Sequence, residues 1–167
     1  MAECIKAQKR LTENEAIKIF LQLRAGFEVL FKEKILHRDL KPSNILFHNG
    51  VVKIADFGFC KEMMESDMTQ TMVGSPIYMA PEILKGSIYD NRADIWSLGV
   101  ILYEMLYGFC PYEESSITKL INLIDNSILK FHPEIQISSQ VKILLKRMMT
   151  IRYRERISPT EFIKYQL

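Results

Sequence analysis

A chain of 167 residues with 48% apolar and 25% charged content suits one globular domain. A domain of this size buries about 70% of its unfolded surface without disulfide or metal support. A net charge of +2, with no dense run of lysine and arginine, excludes a nucleic-acid binder that works by charge, so neither DNA nor RNA is an expected partner.

Cys4, Cys60 and Cys110 are odd in number and far apart, so they read as free thiols in a reducing compartment, the cytosol, with Cys60 a packed side chain rather than a reactive one. The N-terminus lacks the basic, apolar, small-residue order of a signal peptide. The longest apolar stretch, Trp96 to Leu106, is broken by Ser97, Gly99 and Glu104 and is too short to span a bilayer.

Met1 to Arg10 shows no clear period and reads as a tail or partial helix. Thr12-Glu13-Asn14-Glu15 has the form of a capping box, in which the hydroxyl and the carboxylate satisfy orphan donors at a helix start. Ala16, Phe20, Leu23, Phe27 and Leu30 then recur at helical spacing, with Ile17, Leu21 and Phe31 as a second row. The pattern predicts a buried helix to about Lys34. Ile45-Leu46-Phe47 and Val51-Val52-Lys53-Ile54 flank His48-Asn49-Gly50, and Asn-Gly accepts the positive φ angles of a tight turn, so a hairpin is predicted.

From Lys61 to Ser75 methionines are scattered among acidic and hydroxyl residues, which predicts a loop. Ile95, Trp96, Leu98, Val100, Ile101, Leu102, Met105 and Leu106 are apolar around most of a helix, and such a helix lies inside a domain, with Trp96 as a core anchor. Ile117, Leu120, Ile121 and Ile124 predict an amphipathic helix. Val141, Leu144, Leu145, Met148 and Met149 predict another, entered through Ser138 or Ser139. Ser158-Pro159-Thr160-Glu161 predicts the start of a last one. His37, His48 and His132 are too scattered for a metal site, and no repeat or linker divides the chain.

Four motifs stand in order: His37-Arg38-Asp39-Leu40-Lys41-Pro42-Ser43-Asn44, Asp56-Phe57-Gly58, Ala80-Pro81-Glu82, and Asp94-Ile95-Trp96-Ser97-Leu98-Gly99. Any one triplet recurs by chance, but the linked series resembles the eukaryotic protein kinases over Thr12 to Leu167. The resemblance implies a mainly α fold, the large C-terminal lobe of a kinase, in which a helical bundle bears a small β-hairpin carrying the catalytic and metal-binding loops. Residues 1–167 would form a partial kinase domain, with residues 56–82 as the activation segment.

Phosphoryl transfer asks the protein mainly to position two oxygens and neutralise phosphate charge. By resemblance, Asp39 would orient the substrate hydroxyl and accept its proton, and Lys41 would sit by the transferring phosphate. Asn44 and Asp56 would hold Mg²⁺, a hard cation that takes oxygen ligands. Leu46 would lie beneath the adenine of ATP, or be a plain core leucine. His37 would pack on Phe57, Asp94 would hold the catalytic loop's backbone, and Glu82 would need Arg156 as a buried partner. Thr71, ahead of Thr69, sits where a regulatory phosphate is added, with Arg38 and Lys61 to grip it; alternatively both threonines are merely solvated. Ser75 with Lys41 is the combination of serine/threonine kinases, which implies protein substrates with Ser or Thr hydroxyls.

The sequence contains no Gly-x-Gly-x-x-Gly and no Val-Ala-x-Lys, and no helix before Thr12 is expected that could supply a glutamate to pair with that lysine. The small N-lobe is therefore expected to be absent, leaving a C-lobe fragment that is weak or inactive alone. Two other readings are a lobe-only binding module, whose partner covers the exposed nucleotide face near Leu46 and Phe57, and a decoy that holds substrates on the Ser75 to Glu82 wall. Within the kinases, Asp56 to Lys61 and Gly74 to Glu82 look most like the autophagy-initiating Unc-51-like group.

Overall fold

The computed structural model describes residues 1–62 and 72–167. It is mainly helical, with two small antiparallel sheets at one end. The first ten residues, which lack a clear sequence period, form helix α1 (Ala2–Gln8). Of the two readings of this stretch, tail or partial helix, the structure has the helix. Ile5 is buried in the core, and the first residues of the helix lie against the hairpin, where the Met1 ammonium donates to the Ile45 carbonyl at 2.8 Å. Ile5 is the one buried side chain among those of α1 that the structure describes, too little periodicity to announce a helix.

Helix α2 (Glu13–Lys32) starts at the predicted capping box: Thr12 N–H donates to Glu15 Oε2 at 2.9 Å and Glu15 N–H to Thr12 Oγ1 at 3.4 Å. A cap of this kind contributes about 1 kcal/mol. Its buried face is Ala16, Phe20, Leu23, Phe27 and Leu30, and Phe162 meets Phe20 and Phe27 edge-on with ring centroids 5.9 and 5.4 Å apart. Phe162 belongs to α7 (Pro159–Lys164), which is capped by Ser158 and Glu161.

Strand β1 (Ile35–Leu36) pairs with β4 (Lys61–Glu62), and β2 (Ile45–His48) pairs with β3 (Val51–Ile54). The β2–β3 turn is Asn49-Gly50, at φ 49° and 77°. Both angles lie in the left-handed region that this dipeptide tolerates and that a two-residue hairpin requires. Gln22 of α2 fastens the hairpin by accepting from Val52 N–H at 2.9 Å.

The short helix α3 (Pro81–Leu84) precedes α4 (Arg92–Tyr107), which is buried along nearly its whole length and forms the centre of the core. Around it lie α5 (Ile117–Asn126) and α6 (Ser139–Met148), capped by Ser116 and Ser138. No described helix is long and apolar enough to cross a membrane.

Candidate active site

Helix α4 sets the position of the loop between β1 and β2. The Asp94 carboxylate in its first turn accepts the backbone N–H of His37 at 2.8 Å and of Arg38 at 3.0 Å. Burial pushes the Asp94 carboxyl up, and the two N–H donors hold it back. This anchoring offsets real strain, because Arg38 sits at φ 70°, a left-handed conformation that costs a non-glycine residue on the order of 1–3 kcal/mol. The His37 ring spans the loop as well: its Nδ1 lies 3.3 Å from Asp39 N–H and its Nε2 3.2 Å from the Ala55 carbonyl. Those partners assign the proton to Nε2. The same ring packs on Phe57, centroids 5.3 Å apart.

Three groups converge on the buried Asp39 carboxylate. Ser75 N–H donates to Oδ1 at 2.9 Å, Asn44 Nδ2 to Oδ2 at 3.0 Å, and the Lys41 ammonium lies 2.7 Å from Oδ2. The same ammonium donates to Ser75 Oγ at 3.0 Å. A loop and a wall 36 residues apart are thereby locked together. Gly74 makes the approach possible: at φ +107° it lies so close that a Cβ would stand 2.4 Å from the Arg38 carbonyl and 3.1 Å from Asp39 Oδ1.

Asn44 and Asp56 lie on either side of one backbone bond, Ala55 N–H to the Asn44 carbonyl at 2.8 Å. The Asn44 amide nitrogen is committed to Asp39, which leaves its Oδ1 as an acceptor. Asp56, also left-handed at φ 64°, is exposed, with one oxygen accepting Gly58 N–H at 3.3 Å. Both side chains offer oxygen acceptors, the atom type that a hard cation takes. No cluster of three or more His, Cys, Asp or Glu fit to hold a metal occurs among the described residues. Leu46 is 52% exposed. It borders an open groove of about 650 Å³ with Met1, Glu3, Phe47, His48 and Lys53.

Thr69 and Thr71 lie outside the described residues. Arg38 Nε donates to the Phe59 carbonyl, and Lys61 faces Leu36 across the β1–β4 pair, next in sequence to His37. Cys60, with its Sγ 3.7 Å from the His37 carbonyl, has its thiol pushed up to about 11 by burial. A thiol in that state is a poor nucleophile at neutral pH.

The wall following Ser75 is a single turn, Pro76–Tyr78, tied to α4 at two points. Ser97 Oγ donates to the Tyr78 carbonyl at 2.8 Å and Tyr78 OH donates to Glu104 Oε2 at 2.8 Å. Burial pushes the Glu104 carboxyl up. Beside Lys41 these two residues line a groove of about 530 Å³ that also reaches Ile5 and Lys9. Sequence reasoning misses this Tyr78–Glu104 pair, because nothing in the spacing of 26 residues joins a turn to the last helical turn of α4. Behind the wall, Arg156 NH1 and NH2 donate to the Glu82 carboxylate at 2.6 and 2.8 Å, and Arg156 also donates to the Arg92 and Thr150 carbonyls. Its guanidinium lies 5.1 Å from the Trp96 ring.

The model of the protein kinase domain family matches residues 1–167. The serine/threonine-protein kinase atg1 of Dictyostelium discoideum is 39% identical over 97% of the chain and 25% of its own length. The serine/threonine-protein kinase SKM1 of Saccharomyces cerevisiae is 39% identical over 93% of the chain and 24% of its own length. The serine/threonine-protein kinase ULK1 of Homo sapiens is 36% identical over 99% of the chain and 17% of its own length. The chain thus spans about a quarter or less of each of these relatives.

Proposed function

Because the chain belongs to the protein kinase domain family, we propose that it is the large helical lobe of a serine/threonine kinase of the autophagy-initiating Unc-51-like group, and that it serves transfer of the ATP γ-phosphoryl group to serine or threonine hydroxyls of protein substrates. The observation that carries this reading is the Asp39 carboxylate, held by Ser75 N–H, Asn44 and Lys41 at 2.7 to 3.0 Å. A carboxylate fixed in this way at the wall can orient an incoming hydroxyl and take its proton, and Lys41 beside it can neutralise charge on the transferring phosphate. Asn44 Oδ1 and Asp56 are the oxygens that would hold Mg²⁺. When bound, the ion supplies charge neutralisation between the phosphates. Leu46 gives the adenine an apolar floor. Arg38 and Lys61, on neighbouring backbone across β1–β4, are the cations we assign to a phosphate on Thr71 or Thr69.

The sequence contains neither a Gly-x-Gly-x-x-Gly loop nor Val-Ala-x-Lys, so we assign the roof of the nucleotide site to a small lobe outside these 167 residues. The face it would cover is apolar and open, with Val29 at 59% and Phe57 at 50% exposure. The chain alone is then weak or inactive, for want of the phosphate cradle. The same open face supports a second reading, a lobe-only module whose partner sits there, while a substrate decoy would hold its substrates on the Ser75 to Glu82 wall. Cys60 and Cys110, both free, accord with a cytosolic setting.

Two measurements test the proposal. Calorimetric titration of the chain with ATP and Mg²⁺ should show binding that Asp56→Ala removes. Fusing the chain behind the small lobe of the human relative should give transfer to serine peptides. Asp39→Asn should reduce that transfer about 10²- to 10⁴-fold with the fold intact. A fusion that transfers equally well with the Asp39→Asn substitution in place would overturn the assignment.

A further inference from the structure

Beside the C-terminal part of α6, a groove of about 510 Å³ lies between the loop after α5 and the chain that leaves α6. Its floor is apolar. Tyr112 and Met149 are buried there, and Leu129 and Ile151 close the sides. Tyr112 is itself held rigid, stacked on Trp96 with centroids 6.2 Å apart.

The rim differs from the floor in two ways. Ile128 stands 85% exposed at its edge, the barest large apolar side chain among the described residues. Opposite it the charge is positive. Lys146 rests its ammonium 5.6 Å from the Phe131 ring centroid and has no carboxylate partner among the described residues. Arg152 shares Glu155 at 3.2 Å in an exposed pair, a weak arrangement that an incoming carboxylate can displace. Between Val141 and Arg156 the chain carries six cations and Glu155 as its one anion, and among the described residues only Arg147 and Arg156 of the six are neutralised by carboxylates elsewhere.

The geometry points to a docking groove for a short peptide segment of a protein partner, in which a bulky apolar side chain stands next to an acidic one. The apolar side chain enters between Ile128 and Met149, and the carboxylate meets Lys146 and Arg152. A basic segment is repelled by the rim, and an uncharged one leaves both cations without gain. This inference stands apart from phosphoryl transfer, since none of these side chains touches Asp39 or Asp56.

The test is selection from phage-displayed random nonapeptides on the full 167-residue chain, followed by fluorescence anisotropy of the enriched peptide on the wild type, Ile128→Ser and Lys146→Glu. Both substitutions are at the surface, and circular dichroism checks that the fold is kept. The expected result is enrichment of Asp or Glu within two positions of Leu, Ile or Phe, with affinity falling tenfold or more in each variant and weakening with salt. The inference is overturned by no enrichment, by enrichment of basic peptides, or by equal binding to the variants. Sedimentation showing self-association that Ile128→Ser removes would make the groove a contact between copies. Binding to vesicles of phosphatidylcholine with one quarter phosphatidylserine, lost in Lys146→Glu, would assign the basic rim to a membrane surface. Either result also overturns the peptide assignment.

Discussion

Replacing Arg156 with methionine keeps the apolar stem and removes the guanidinium that spans Glu82, Arg92 and Thr150. The Arg156 side chain is fully buried and that of Glu82 is 5% exposed, so water cannot take the lost partner's place. A buried carboxylate stripped of its partner costs about 3–5 kcal/mol. Against a total stability of roughly 5–15 kcal/mol, that is a large fraction. For a chain of this size it corresponds to a fall of roughly 6–20 °C in Tm. Urea unfolding of the wild type, Arg156→Met, Glu82→Leu and the double variant closes a thermodynamic cycle. The double variant should recover most of the loss, because it leaves no buried charge behind. Arg156→Met within about 1 kcal/mol of wild type, or a double variant no better than the single, would show that the pair is not desolvated as the structure has it.

Gly74→Ala forces a left-handed residue and a Cβ 2.4 Å from the Arg38 carbonyl, so a loss of about 1–3 kcal/mol is expected in thermal unfolding; an alanine variant of wild-type stability would refute the close approach. Glu15 and Glu161 are both held below the usual carboxylate range, Glu15 by the Thr12 hydroxyl and backbone, Glu161 by the Ser158 backbone and hydroxyl. A carboxylate lowered in the folded state stabilises above its unfolded pKa and loses that contribution as pH falls through the folded one. The Tm gap between wild type and Glu15→Gln should therefore shrink from pH 7 to pH 3, and a gap that widens contradicts the capping box. Cys60 should alkylate slowly at pH 8 and faster towards pH 11, as followed by peptide mass spectrometry; half-maximal labelling near pH 8.5 would mean the thiol is open to solvent.

The sequence carries some of these features openly and hides others for physical reasons. Thr12 with Glu15 and Ser158 with Glu161 are local, so their spacing alone locates two helix starts, and Asn49-Gly50 locates the hairpin. The period of Phe20, Leu23 and Phe27 marks the buried face of α2. By contrast β1 and β4 are two residues each, below the length at which alternation exists, and their paired residues stand 25 and 27 positions apart. Helix α1 hides because among its described side chains Ile5 alone is buried. In the candidate site, the motifs bring Asp39, Lys41, Asn44 and Asp56 to notice as residue types. The bonds from Ser75 N–H to Asp39 and from Tyr78 OH to Glu104 depend on how a turn lies against α4, which no local spacing encodes.

Helix α4 holds the catalytic loop through Asp94 and the wall through Ser97 and Glu104, and its first residue gives Arg156 a carbonyl. The two surfaces proposed to meet at a reacting hydroxyl are thus measured from one common rod. A small rotation of that rod would carry loop and wall together and leave their separation nearly unchanged, whereas a change in either surface alone would alter the gap directly. Variation that preserves chemistry is therefore expected to gather on the outward sides of the loop and the wall. The inward residues of α4 are the ones that admit no independent adjustment.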